Sequence, residues 1–209
     1  MKLQLSAALM GLAATAVSAQ YTQEGPFVLQ IKGTKAGSKI DGIADSCHAG
    51  AAIEGLCYTS GTNTSTNEYS QYYFNYTTNF GSSEEIGIIV WNMPYESEGG
   101  TIELESQSMG LQYQINSNVA ASIFGLDYTM QVGFDDNNEL FGWDYYDDAT
   151  FTDSTFPTTS ENGTAYYQWA VCYQYFTGYY YQSVGWVQAG KAHNPTCEPV
   201  TITKVEVVS

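Results

Sequence analysis

Apolar and polar residues alternate along most of this 209-residue chain, in short runs broken by Gly, Asn, Ser and Thr. Alternation at period two is the mark of strands buried on one face. It predicts strands at 26–32, 55–59, 69–77, 86–91, 101–105 and 110–115. Further strands are predicted at 119–124, 128–134, 139–146, 165–176, 179–188 and 200–208. One stretch, "HAGAAIEG", has helical rather than alternating character, a turn or two that Gly55 would end. About a dozen short strands and at most one short helix imply an all-β, single-domain antiparallel β-sandwich or jelly roll.

Two hairpins can be registered from the sequence. A two-residue turn at Asn137-Asn138 would set Phe134 opposite Phe141, Val132 opposite Trp143, and Met130 opposite Tyr145. The large apolar residues then share one face, with only Leu140 out of place. In "AYYQWAVCYQYFTGYYYQSVGWV", a turn at Thr177-Gly178 sets Trp169 opposite Trp186, Val171 opposite Val184, and Tyr175 opposite Tyr180. Cys172 then points away from the two Trp rings, on a face of small residues.

The N-terminus adds a compartment. "MKLQLSAALMGLAATAVSAQ" has an early Lys2, an apolar run and small residues at Val17 and Ala19. That is the layout of a secretory signal peptide over residues 1–19, leaving a single secreted β domain over residues 20–209. In an oxidising compartment four cysteines favour two disulfides, for which three pairings exist. The sequential one, Cys47–Cys57 with Cys172–Cys197, is preferred. Sequons at Asn63, Asn75 and Asn162 fit a glycoprotein of the same route.

Charge narrows the partners. The chain has 22 acidic residues against six basic ones and a net charge of −16, and all six are lysines. Phosphate backbones and anionic membrane surfaces would be repelled, so neither nucleic acid nor membrane is an expected partner. The acid is spread along the whole chain, as on a solubilising surface.

Candidate chemistry concentrates in "GFDDNNELFGWDYYDDATFTD", residues 133–153. Eight residues at strand rise separate Glu139 from Asp147 by about 26 Å, too far for one ion. The calcium-loop template fails as well, because Leu140 stands where Gly is required. A calcium ion at Asp136 and Glu139 is the one metal candidate left; otherwise no cofactor is implied. Glu103 and Glu105 share one strand face, and a jelly-roll glycoside hydrolase would need such a pair across a cleft. No recognisable catalytic motif accompanies them. His48, with Glu54 six residues on, is the other polar grouping, and it reads as a loop packed on itself. The surplus of 18 Tyr and four Trp suggests stacking on sugar faces. Trp169, Tyr173, Tyr175, Tyr180 and Trp186 form the candidate ligand-binding stripe, against the alternative that this face packs on a second sheet. Tyr72, Tyr73, Tyr146, Tyr166, Tyr179 and Tyr181 are expected at the surface or rim.

The segments "GPFVLQIKG", "CHAGAAIEGLCY", "YYFNYTT", "FDDNNELFGW" and "YYQWAVCYQYFTGYYYQSVGWV…NPTCEPVTITKVEV" resemble a family of small secreted proteins of filamentous ascomycete fungi. The similarity covers most of residues 25–208, and its most specific parts are the Cys47-to-Cys57 block and the Trp/Tyr-rich hairpin. It implies a secreted, fungal, single-domain protein and transfers no activity, cofactor or catalytic residue. The sequence therefore supports a secreted, non-catalytic protein of the extracellular space or cell wall, with glycans as candidate partners. The alternatives are a small glycoside hydrolase and an effector or antigen-like protein that acts through protein contacts.

Overall fold

The structure, a computed structural model, describes residues 21–61, 67–77, 85–154 and 163–207. The signal segment and the sequons at Asn63 and Asn162 lie outside these residues. Thirteen strands follow one another among the described residues. They are β1 (Thr22–Gly33), β2 (Asp41–Gly50), β3 (Ile53–Ser60), β4 (Tyr72–Thr77), β5 (Ile86–Glu96), β6 (Ile102–Gln112) and β7 (Val119–Phe124). They continue as β8 (Val132–Phe134), β9 (Leu140–Asp144), β10 (Thr164–Tyr166), β11 (Trp169–Phe176), β12 (Tyr179–Val187) and β13 (Glu198–Glu206). Two single-turn 3₁₀ helices, Glu68–Ser70 and Asp148–Thr150, are the only helical elements among the described residues.

Every pairing is antiparallel, and the ladder closes on itself. It runs β1–β4–β5–β6–β7–β3–β12–β11–β13 and back to β1. β2 bridges β1 and β3, while β8, β9 and β10 extend outward from β5. The interior is filled from opposite sides of the ring. Tyr72 on β4 stacks on Phe124 of β7 at 5.8 Å, and Trp91 on β5 meets the same ring at 6.1 Å. Trp91 Nε1 donates to the Glu68 carbonyl at 3.2 Å, so its polar atom is satisfied although the ring is buried.

The expected helix at "HAGAAIEG" is instead the end of β2, a tight turn and the start of β3. Of its three alanines only Ala49 faces the interior, fully buried, while Ala51 and Ala52 are exposed in the turn, Ala52 at φ 57°. The disulfide Cys47–Cys57 crosses this hairpin, and Cys172–Cys197 ties β11 to the segment before β13. Gly55 makes room for the first, since a Cβ there would meet Cys47 Sγ at 3.0 Å and the Phe176 ring at 2.9 Å. Both follow the sequential pairing. Two disulfides fit an oxidising environment, and no helix among the described residues is long and apolar enough to cross a membrane.

The runs 101–105 and 110–115 join into the single strand β6, and the run 128–134 keeps only its last three residues as β8. The Thr177-Gly178 hairpin has the expected register, with Trp169 opposite Trp186 and Tyr175 opposite Tyr180. The other hairpin differs by one residue: Gly133 faces Phe141 and Phe134 faces Leu140. Its turn is one residue longer than the two-residue turn assumed. Asp135 N donates to Glu139 O, Asp135 Oδ1 accepts from the Asn137 and Glu139 amides, and Asn138 takes φ 60°. Rings consequently occupy both faces of the hairpin. Phe141 and Trp143 lie on one, while on the other Phe134 packs with Val132 and Leu140 against the main core. Glycine makes this possible, since a Cβ at Gly133 would meet Phe141 Cζ at 2.4 Å.

Candidate functional site: an aromatic groove beside Asp144

The slipped register determines what faces solvent on β9. Gly142 and Asp144 share a face, and their β10 neighbours Tyr166 and Thr164 stand on the same side. With no side chain at Gly142, the Trp186 indole lies against the strand; a Cβ there would come within 2.6 Å of its Cη2. Trp186 also meets buried Trp169 edge-to-face at 4.8 Å, so the ring is fixed from behind while its front remains open.

Two further segments build the walls. The stretch from Leu126 to Gln131 lies against β6, where Met130 N donates to Met109 O at 2.9 Å. Gly110 permits that approach, since a Cβ would stand 2.1 Å from the Tyr128 carbonyl oxygen. Trp143 N, donating to Gln131 O at 2.9 Å, ties the same stretch to β9. On the other side Asn118 holds the loop after β12. Its Nδ2 donates to the Ala189 and Lys191 carbonyls, and its Oδ1 accepts from His193 N.

The result is a groove in two connected parts of about 450 and 530 Å³. Tyr113, Asp144, Tyr166 and Trp186 line both parts. Tyr128, Met130 and Gln131 complete the first part. Tyr146, Asp147, Asp148, Gln168 and Gln188 complete the second. Tyr113, Tyr128 and Tyr146 are exposed, so their ring faces are available to a ligand. Asp144 Oδ1 accepts from the Tyr145 and Tyr146 amides, and Asp147 Oδ1 caps the 3₁₀ turn through Ala149 N. These bonds fix the acidic segment along one side of the groove.

The residues singled out in the sequence are distributed differently. The aromatic stripe divides: Trp169 is buried and Trp186 half-buried, while Tyr173, Tyr175 and Tyr180 are exposed. β13 pairs with β11 only at Ala170 and Val171. Beyond that point Thr196 Oγ1 and Asn194 Nδ2 take over the backbone of Tyr173; the face carrying Tyr173 and Tyr175 is uncovered there, while Gln174 and Phe176 on the opposite face stay buried. Tyr173 and Tyr180 stack on each other there at 5.6 Å. Tyr72, expected at the rim, is fully buried between strands. Tyr146 is exposed, and Tyr73, Tyr166, Tyr179 and Tyr181 are half-buried.

At the first hairpin the carboxylate beside Glu139 is Asp135, whose charge and the burial of Glu139 push the Glu139 carboxyl up, burial being the larger cause. The Asp135 side chain is occupied by turn amides and by Tyr167, whose hydroxyl donates to Oδ2 at 3.3 Å. No group of three or more His, Cys, Asp or Glu placed to hold a metal, at Asp136 and Glu139 or elsewhere, occurs among the described residues. Glu103 lies on the projecting β5–β6 hairpin, accepting from Tyr95 Oη at 2.8 Å, and neither Glu103 nor Glu105 lines the groove. His48 and Glu54 face each other across β2 and β3 at 3.4 Å. Burial raises the Glu54 carboxyl, and the His48 contact partly offsets it. Asn75 is on β4, with its Oδ1 accepting from Gln23 Nε2 at 2.8 Å.

The groove is not legible in the sequence, because its members are scattered from Leu111 to Gly190 and meet only when β6, β9, β10 and β12 converge. The "DYYDD" run was the available signal, and it supplies Asp144, Tyr146, Asp147 and Asp148. No family model, curated protein or solved structure matches the chain.

Proposed function

We propose that this is a secreted carbohydrate-binding protein whose site is the groove between β6, β9, β10 and the end of β12. The observation that carries it is one open groove with Trp186 at its back, tyrosine rings along it, and amide and carboxylate groups between them. Sugar rings present flat C–H faces that stack on aromatic rings, and hydroxyl edges that bond to such polar groups. The closed ring of strands is read as a sandwich-like barrel that supports this site.

Binding is favoured over hydrolysis by where the acids stand. Asp144, Asp147 and Asp148 come from one strand end and the turn after it. Glycoside hydrolysis uses two carboxyls on either side of the scissile bond, roughly 5–10 Å apart. Among the described residues that line the groove no other carboxylate occurs.

A glycan array probed with the purified secreted protein tests this reading. Wild-type protein is expected to retain a restricted set of oligosaccharides, in calcium and in chelator alike. Tyr113→Ala with Tyr128→Ala, both at exposed rings, is expected to lower affinity by about tenfold or more, the size of one or two lost ring contacts. Unchanged binding in that double variant would place the ligand elsewhere.

A further inference from the structure

We infer that Asn75 carries an N-linked glycan whose first sugar seats in a trough on the outer face of β4 and β5. The inference concerns a second surface and does not depend on what the groove binds.

Asn75-Tyr76-Thr77 has the acceptor pattern Asn-x-Thr. Three residues alone do not say whether a sugar fits once the chain has folded. The fold supplies that. On β4 the side chains of Phe74 and Tyr76 pack on the core, so Asn75 and Thr77 take the outer face, both half-buried. Asn75 stands in line with Gln23 of β1 and Ile88 of β5. Gln23 Nε2 donates to Asn75 Oδ1 at 2.8 Å. The amide is thus held by its oxygen, and Nδ2, the atom that takes the sugar, is its open end.

A trough of about 330 Å³ opens at this side chain. Asn75, Thr77 and Ile88 line it; Tyr21, just before β1, and Thr129 and Gln131, just before β8, complete it. The Tyr21 ring is 58 % exposed. N-acetylglucosamine offers a C–H face to such a ring, and its hydroxyl and acetamido groups match the Thr129 hydroxyl and the Gln131 amide. Seated there, the sugar covers Tyr21 and Ile88 and becomes part of the packing. Both disulfides fit the oxidising compartment in which the transfer occurs. The donor is an oligosaccharide on a lipid pyrophosphate. Asn75 Nδ2 loses a proton and bonds to C1 of the first sugar, while the C1–O bond breaks and the pyrophosphate leaves with its electron pair.

The test uses the full secreted protein from a yeast that adds high-mannose chains, with Asn63→Gln and Asn162→Gln so that Asn75 is the one acceptor left. Peptide mass mapping reads occupancy. Melting temperatures are compared for untreated protein, protein trimmed by endoglycosidase to one sugar, and protein stripped of the whole glycan. The same is done for Tyr21→Ala, Thr77→Ala, and Thr77→Ser, which keeps the acceptor pattern. Asn75 should be occupied, and trimming to one sugar should leave the melting temperature unchanged. Complete removal and Thr77→Ala should each lower it by about 2–4 °C, the worth of about one ring contact in a domain of this size. Thr77→Ser should match the parent. Tyr21→Ala should lower it in glycosylated protein and not in stripped protein. An unmodified Asn75 would overturn the inference outright. An occupied Asn75 whose complete removal shifts nothing would overturn the seating, as would a loss already complete on trimming to one sugar. The enzymatic arms use no new substitution at the trough, so they decide even where a variant fails to fold.

Discussion

Asp45 shows at the scale of one residue how burial ties stability to pH. Its carboxyl is raised above the ordinary 3.8 chiefly by burial, against the lowering effect of the Ser70 hydroxyl, which donates to Oδ1 at 3.1 Å. The folded chain therefore holds this proton more tightly than the unfolded chain. The group's stabilising contribution is complete below about 3.8 and is lost as pH rises through the raised value. Glu54 and Glu139 shift in the same direction, also mainly through burial. We expect Asp45→Asn to gain on wild type as pH rises from the ordinary carboxylate range to neutrality, measured by urea midpoints at several pH values. Parallel curves would contradict it. Gly133 gives a purely steric case. Gly133→Ala would place a methyl 2.4 Å from Phe141 Cζ. The expected cost is about 1–3 kcal/mol in the urea midpoint, typical of overpacking. Neither effect could be read from the sequence, because burial and ring proximity are properties of neighbours far along the chain.

The two hairpins separate what alternation can and cannot resolve at the scale of the element. For β11 and β12 the Thr177-Gly178 turn leaves one sensible register, and every expected pair is present. For β8 and β9, maximising one apolar face gave a register one residue off, because glycines at 133, 142 and 163 let rings pack on both faces. An apolar residue then says only that some face is covered, not which one. Thr177 itself is strained: a β-branched residue at φ 50°, before Gly178 at φ 100°. Asn accepts this conformation readily, and Asn-Gly is the favoured pair for such turns. Thr177→Asn is expected to raise stability by about 0.5–1 kcal/mol by chemical denaturation, relief of part of the left-handed cost. No gain would mean that the Thr177 hydroxyl, donating to Phe176 O at 2.8 Å, already offsets the strain.

For the whole molecule, the closed ring decides which disulfide matters more. Cys47–Cys57 crosses a hairpin that its own strand pairing already closes. Cys172–Cys197 spans 25 residues and joins β11 to the approach of β13, the strand that completes the ring against β1. Replacing the second pair by serine should cost about 3.5 kcal/mol, the loop-closure value for that separation, and the first pair less. Thermal melts of the two double variants under oxidising conditions would rank them; the opposite order would show that the hairpin needs its staple. The net charge of −16, with six lysines against 22 acidic residues, adds long-range repulsion that the covalent ties help contain.

The sequence by itself determined the β character, the Thr177-Gly178 register and an acidic composition without arginine, and it left three cysteine pairings open, of which the structure has the sequential one. Those features rest on local alternation, turn chemistry and composition. Only the tertiary structure decided that "HAGAAIEG" is a hairpin, that Tyr72 is core while Tyr173, Tyr175 and Tyr180 are exposed, and that one acidic run borders an aromatic groove. Each of these depends on which distant strand covers a residue, and in a closed antiparallel ring that is set by long-range pairing rather than by neighbours in sequence.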